Sequence, residues 1–417
     1  MKIVQINTFP YKATGSVMIS IHKILLEKGY DSYVVWGRGR NSENNREITI
    51  IDNLGVKFHG VYTRITDKTG FASWRATKQL INELERIQPD IIHLHNLHGY
   101  YINLKMLFSY IKLHQIKVVW TLHDCWTFTG HCAFFDMIGC EKWKIECNKC
   151  EQKHTYPASL ICDASRWNWH KKKELFHGLN AVIVTPSEWL RKLVKESFLG
   201  EYPVNVIYNG IDLNVYYPRL DTDSVCEKYG MSSKPIVLGV ASEWTERKGL
   251  KDIVELSKRL RDIQFVVVGL TEKQMTMIPE TVIGIKRTEN LDELCELYSR
   301  ATVFFNPTYE DNFPTTNIEA LACGTPIITY NTGGSPESIL HFEKYRERGL
   351  GEIIYKKDRK TVDYKIVEEC LQRVIKFTKE NEKCVTENCQ RAAQYYERTM
   401  RLAEYDSVYT ELLARGK

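Results

Sequence analysis

Tyr309-Glu310-Asp311-Asn312-Phe313-Pro314-Thr315-Thr316-Asn317-Ile318-Glu319-Ala320-Leu321-Ala322-Cys323-Gly324-Thr325-Pro326 is the stretch that decides how this chain is read. The apolar run before it, Ala301 to Phe305, reads as a buried strand. The stretch then enters a helix that ends at Gly324, a residue suited to a helix C-cap. Acidic side chains therefore lie on either side of a helix N-terminus. The N–H groups of such a terminus attract phosphate. A carboxylate further along the helix can accept hydrogen bonds from sugar hydroxyls. A sugar-nucleotide site needs both.

Working outward, apolar strands alternate with amphipathic helices. In the first half, Ile3–Ile6, Asp31–Trp36, Asp90–Leu94, Val118–Leu122, Ala181–Thr185 and Asn205–Tyr208 read as strands. Val17 to Lys28, Trp74 to Ile87, Leu104 to His114 and Glu188 to Lys195 read as helices between them. Asn209-Gly210-Ile211-Asp212 is a turn, followed by an irregular stretch to about Pro235. The rhythm then restarts, with strands at Pro235–Ala241, Gln264–Val268, Ala301–Asn306 and Pro326–Tyr330. Such alternation implies α/β domains with mostly parallel sheets and helices on both faces. The 417 residues suffice for two of them, each with its own core.

Hydrophobic content of 43% and charged content of 26% suit a soluble globular chain. No apolar run reaches the ~18 residues of a membrane-spanning helix, and the N-terminus is too polar for a signal peptide. A cytoplasmic address follows as an expectation. Charge is uneven: residues 1–205 carry 27 Lys and Arg against 19 Asp and Glu, and the remainder 30 against 33. A basic first half suggests an anionic partner. No nucleic-acid-binding motif accompanies the charge, so nucleic acid is not expected. Trp167-Asn168-Trp169-His170-Lys171-Lys172-Lys173 mixes aromatics with a basic run. It reads either as a patch for peripheral association with an anionic membrane or as a solvated helix start with core tryptophans.

The acidic stretch resembles the motif of retaining glycosyltransferases of the GT-B fold, family 4 type, in which two glutamates stand seven residues apart around a Gly-Phe-Gly-like turn. The resemblance covers nearly the whole chain and is strongest over 235–340. It implies two tandem Rossmann-like domains facing across a cleft: residues 1–212 on the acceptor side, 213–395 binding the nucleotide-sugar, and a helix over 396–417 crossing back. Seven residues separate Asp311 from Glu319 and eight separate Glu310 from it; aligning Phe313 on the family's Phe likewise makes Asp311 the first acid, with Asn312 and Pro314 replacing the turn's glycines, and Glu310 is the alternative. By resemblance Glu319 binds the ribose hydroxyls. The first acid, together with the amides of Asn312, Phe313, Pro314, Thr315 and Thr316, holds the sugar and phosphate.

Arg247-Lys248-Gly249 follows the first strand of the second half, and a Lys there can reach a diphosphate. The family's usual Arg five residues before this Lys is here Glu243; Arg247 is the candidate substitute. Gly334, in Gly333-Gly334-Ser335-Pro336-Glu337, resembles the family's Gly-Gly turn. Gly15, in Thr14-Gly15-Ser16, resembles its glycine-bearing loop between the first strand and helix. His123 occupies the loop where family members place a His beside the donor sugar; a core histidine is the plain alternative. His93, His95 and His98 line another strand end, but no carboxylate completes a metal-ligand set there.

Cys132, Cys140, Cys147 and Cys150 crowd an insertion over about residues 125–165. Cys147-Asn148-Lys149-Cys150 is a C-x-x-C pair, the usual half of a structural zinc site. A zinc held by the four thiols, reduced buried thiols and a redox pair are the three readings. The insertion resembles one found in bacterial exopolysaccharide glycosyltransferases of this type.

The resemblance thus implies transfer of a hexose from a UDP- or GDP-sugar to a hydroxyl of a glycan or lipid-linked glycan in bacterial surface polysaccharide biosynthesis. It implies retention of configuration and no metal for the bond-making step. The location would be cytoplasmic, peripheral at the inner face of the membrane. The alternatives are a nucleotide-sugar epimerase of the same fold and a non-catalytic nucleotide-sugar or glycan-binding protein.

Overall fold

The computed structural model describes residues 1–415. The chain divides into two compact units. The first comprises Met1–Phe135, Gly139–Tyr208 and the chain from Arg401; the second comprises Asp136–Ile138 and Asn209–Met400.

The first unit holds a seven-stranded sheet: β1 (Lys2–Asn7), β2 (Asp31–Trp36), β3 (Glu47–Thr49), β4 (Ile91–Leu94), β5 (Lys117–Thr121), β6 (Ala181–Thr185) and β7 (Val204–Val206). Their spatial order is β3-β2-β1-β4-β5-β6-β7, all parallel. The strands are runs of β-branched residues, such as Ile91-Ile92 and Val182-Ile183-Val184, because helices cover both sheet faces and period-two alternation is lost. The chain reverses its direction of travel across the sheet between β1 and β4. Ligands of open α/β sheets bind beyond the strands' carboxyl ends at such a point. The last helix, Arg398–Ala414, buries Leu402, Tyr405, Val408, Tyr409 and Leu412 against Ile3, Ile91, Val119 and Val182 of this sheet. Its Tyr409 hydroxyl lies 2.7 Å from His93 Nδ1.

The second unit repeats the plan with β8 (Ile236–Val240), β9 (Gln264–Val268), β10 (Val282–Ile285), β11 (Val303–Asn306), β12 (Ile327–Tyr330) and β13 (Gly351–Ile354). The order is β10-β9-β8-β11-β12-β13, again parallel, with the switch between β8 and β11. Leu238 pairs with Val266 on one side and Phe304 on the other. The two stretches of most interest in the sequence therefore leave adjacent central strands.

Local differences from the sequence reading are few. The first helix begins at Lys12, so Thr14-Gly15-Ser16 forms its opening turn instead of a loop. The stretch expected to be irregular before Pro235 contains a helix, Asp223–Tyr229, ending on Gly230. A helix over Asn53–Thr66 lies outside the elements read from the sequence.

Candidate active site

Beyond the carboxyl end of β8 the chain makes a short 3-10 turn, Glu246–Lys248, and enters the helix Leu250–Arg259 at Gly249. Gly249 has φ +74°, and a Cβ there would stand 2.1 Å from the carbonyl oxygen of Pro307. Only glycine lets the turn lie this close to the loop after β11. The contact is stitched by backbone and side chain. Tyr309 N–H donates to Arg247 O at 2.7 Å, and Arg247 Nη1 donates to Glu310 O at 2.8 Å. Lys248 then forms an ion pair with Asp311.

The two candidate first acids part company here. Glu310 is buried, and its Oε1 accepts the Met137 N–H at 2.6 Å. Burial pushes its carboxyl pKa up, against the pull of that amide and of Arg247. Asp311 faces Lys248 and holds the turn after β12: its carbonyl accepts the Gly334 N–H at 3.1 Å. Gly333, at φ +58°, comes so close that a Cβ would lie 1.9 Å from the Asp311 carbonyl oxygen. Gly334 thus spends its amide on the loop itself.

Asn312, Phe313 and Pro314 are buried and lead into the helix Thr315–Ala322. The Phe313 ring packs 5.5 Å from that of Tyr396. No side chain caps this helix, and Thr315 and Thr316 occupy its first turn half-exposed. Its opening N–H groups are the kind that bind an anion. Glu319 follows one turn on. Tyr298 donates its hydroxyl to Glu319 Oε2 at 2.9 Å. Burial raises the Glu319 pKa, opposed by hydrogen bonds from Tyr298 and Thr315.

Under the helix lies a buried polar layer that sequence reasoning missed. Asn317 accepts from Asn306 Nδ2 at 2.7 Å and donates to Ser335 and Ser338. Asp252 accepts the hydroxyls of Tyr309 at 2.7 Å, Tyr330 at 3.0 Å and Tyr364 at 2.8 Å. These groups fix the loop and helix that carry the acids. Their partners come from distant parts of the chain, so spacing carries no sign of them.

In the first unit, a Cβ on Gly15 would stand 2.5 Å from Phe9 O, so the opening helical turn rests directly on the loop after β1. Half-buried His123 joins the buried His93 and His95: its Nε2 lies 3.1 Å from His95 Nδ1, and His95 Nε2 lies 3.3 Å from Gln5 Oε1. Burial lowers the pKa of His123 to about 4 and that of His93 to about 3. His95 is held well below its usual value for the same reason. All three are neutral imidazoles near pH 7.

The cysteine cluster differs from the zinc expectation. Among the described residues no group of three or more His, Cys, Asp or Glu side chains is placed to hold a metal ion. Cys132 hydrogen-bonds with Cys150, and Cys147 Sγ accepts the Gly130 N–H at 3.2 Å. A structural zinc pins an insertion that has too few apolar residues to fold alone. Instead Trp143 stacks 5.0 Å from Phe135 and packs 5.3 Å from Phe128, and Cys132 and Cys147 join the same core. The basic run after Trp167 also divides. Trp169 and Lys172 are buried, and Lys172 Nζ donates to Trp126 O at 2.6 Å and Thr129 O at 3.0 Å.

Residues 14–215 match the family model described as Glycosyltransferase Family 4, and residues 221–366 match Glycosyl transferases group 1. The chain is a glycosyltransferase of the GT-B fold, family 4 type. The Escherichia coli protein WcaC, named as a colanic acid biosynthesis glycosyl transferase, is 27% identical over 81% of this chain and 85% of its own length. Sucrose-phosphate synthase from Thermosynechococcus elongatus superposes with TM-score 0.72 at 15% identity, covering 100% of both chains. Anabaena HepE in complex with UDP-glucose superposes with TM-score 0.63 at 14% identity, over 99% of this glycosyltransferase and 100% of that chain. At such identities the structures speak for the fold: two Rossmann-like α/β domains.

Proposed function

We propose that this glycosyltransferase moves a hexose from a UDP- or GDP-sugar to a hydroxyl of a glycan or lipid-linked glycan, with retention, in the assembly of a bacterial surface polysaccharide. The observation that carries this reading is the Lys248–Asp311 pair at the β8/β11 switch, with Glu319 one turn into the helix that follows. Lys248 and the N–H groups of the Thr315–Ala322 helix neutralise the leaving diphosphate. Glu319 accepts the ribose hydroxyls, and Asp311 with the amides of the 312–316 loop holds the sugar. His123 and Gly15 are assigned to the donor site on the resemblance alone. Arg247, hydrogen-bonded to the Glu310 carbonyl, steadies the loop.

In the front-face substitution that the resemblance implies, the bond from the anomeric carbon to the phosphate oxygen breaks. The acceptor oxygen bonds to the same face of that carbon, and the leaving phosphate takes the acceptor's proton. The bond-making step draws its positive charge from Lys248 and backbone dipoles, in keeping with a family that needs no metal for catalysis.

The reading of a bacterial surface polysaccharide is supported by WcaC, whose name places it in colanic acid biosynthesis. A UDP donor is supported by HepE, whose structure holds UDP-glucose. The deciding experiment is a thermal-shift panel of UDP- and GDP-sugars, followed by turnover with an acceptor glycan. A ligand that binds only the folded state raises its stability. Sugar transferred to acceptor, with the donor's anomeric configuration kept, supports the reading. Isomerised donor without acceptor supports an epimerase, and binding without turnover supports a non-catalytic protein.

A further inference from the structure

We propose that helix Asn53–Thr66 of the first unit is a docking face for an anionic lipid bilayer. The helix is inverted relative to an ordinary surface helix. It buries His59, Gly60 and Thr63. It exposes Leu54 (78%), Phe58 (55%), Val61 (54%) and Ile65 (45%). Their spacing of four, three and four residues makes one continuous apolar stripe. A surface helix normally turns such a stripe to the core.

Polar bonds lock the inverted orientation. Gly70 N–H donates to His59 Nε2 at 3.0 Å, so in the neutral ring Nδ1 carries the proton and donates to Ser73 Oγ at 2.8 Å. Ser73 in turn donates to Tyr100 O at 3.1 Å. Asp52 caps the helix by accepting the Gly55 N–H at 2.8 Å. Rolling the helix to bury its stripe would strand His59 and carry it into water.

Neighbouring segments extend the apolar face. Exposed Trp74 lies 6.3 Å from Phe58, ring to ring. Leu160 and Ile161 are exposed beside the helix end, where their amides donate to Arg64 O at 2.7 and 3.4 Å. Half-exposed Lys68 sets its ammonium 4.4 Å from the ring of exposed Trp167.

Charge chooses the occupant. From Asn53 to Lys78 the chain has five cations (Lys57, Arg64, Lys68, Arg75 and Lys78) and one acid, Asp67. Asp67 is buried, bonded to His131 and to the Ala164 amide. Lys57, Arg64, Arg75 and Lys78 are exposed, and Lys57 and Arg64 stand seven residues apart along one flank of the stripe. An apolar stripe flanked by cations, with tryptophans beside it, is the pattern of a helix lying in a bilayer interface rich in anionic headgroups. A second copy of the same cationic face would be repelled. The claim extends the lipid-linked acceptor reading but does not depend on transfer.

Vesicle sedimentation of the full chain tests it, with no donor present. Wild type should pellet with phosphatidylcholine vesicles containing phosphatidylglycerol, weakly with phosphatidylcholine alone, and less as salt rises. Phe58→Glu with Val61→Glu should cut binding roughly 10-fold or more. Both sites are exposed, and an unchanged thermal melt confirms folding. Lys57→Gln and Arg64→Gln should each weaken binding to the anionic vesicles by about 5-fold. Turnover of a soluble acceptor should survive all four substitutions, which separates this claim from the transfer reading. The proposal is overturned if wild type ignores anionic vesicles or if the Glu double variant pellets as wild type does. A dimer that Phe58→Glu dissolves, without vesicle binding, would assign the face to a second copy instead.

Discussion

Lys248 pairs its ammonium with Asp311, while Glu310, the adjacent residue, turns its carboxylate to the backbone N–H of Met137 at 2.6 Å. Two neighbouring acids therefore do different work. Asp311 shares the space of the cation expected at the diphosphate; Glu310 is buried in the protein fabric. Lys248→Ala should slow transfer by about 10²–10³, the usual loss for one preorganised electrostatic contact. Asp311→Ala should reduce turnover more than Glu310→Ala. Glu310→Ala should lower the melting temperature instead, since an unpaired buried amide costs about 1–3 kcal/mol. Steady-state kinetics beside thermal melts of the three variants decide it, and a Glu310 variant that melts normally but is inactive would reverse the assignment.

Glu319 is expected to read the donor as a carboxylate. Glu319→Ala removes a charged hydrogen bond worth roughly 1.5–3 kcal/mol, so calorimetric donor affinity should fall about 10-fold or more. Burial raises the Glu319 pKa above its ordinary 4.5, so the acceptor form is lost at a higher pH than for a free glutamate. Donor affinity should accordingly decline as pH falls toward that raised value. Glu319→Gln should flatten the decline. An affinity in wild type that does not change with acidification would count against the role.

The buried histidines make the first unit sensitive to acid. His123 titrates near 4 and His93 near 3, both depressed by burial from 6.5. Below pH 6.5 the unfolded chain takes up protons that the folded chain refuses, so stability falls as pH drops. The contribution is whole above 6.5 and is lost progressively down to the folded values. Urea melts between pH 4 and 7 should show this slope, and His123→Gln should make it shallower. A stability flat across that range would mean these rings are not buried as found.

Much of this was legible in the sequence, for a physical reason. Parallel strands covered on both faces are near-continuous β-branched runs, so Val118–Leu122 and Ala181–Thr185 stood out, and the α/β rhythm followed. The acidic stretch was legible because strand, loop and helix N-terminus adjoin in the chain. What escaped depends on direction in space. Spacing and the Phe313 alignment favour Asp311 over its neighbour, but only the fold turns Asp311 to Lys248 and Glu310 to Met137. The C-x-x-C pair suggested a metal, yet the aromatic packing of Phe128, Phe135 and Trp143 around those thiols comes from residues that no spacing rule links. Helix Asn53–Thr66 was missed because two glycines and several β-branched residues weaken its propensity and its apolar stripe serves no core.

Gly249 offers the sharpest test of how the site is held. It combines φ +74° with a backbone that would place a Cβ 2.1 Å from Pro307 O. The left-handed conformation alone costs a non-glycine residue roughly 1–2 kcal/mol. The clash adds to this, because the atom met is a backbone carbonyl and cannot swing aside. Gly249→Ala should therefore push the Glu246–Lys248 turn off the loop after β11. That breaks the Tyr309 N–H to Arg247 O bond and draws Lys248 away from Asp311. Donor affinity and melting temperature should both fall. Gly230, also at positive φ (+61°) but with open space for 4 Å around the position a Cβ would take, is the internal control. Gly230→Ala should carry the conformational cost alone, losing stability while keeping donor affinity. If calorimetry finds the two alanine variants equal in donor binding, the close approach at Gly249 does not set the position of Lys248.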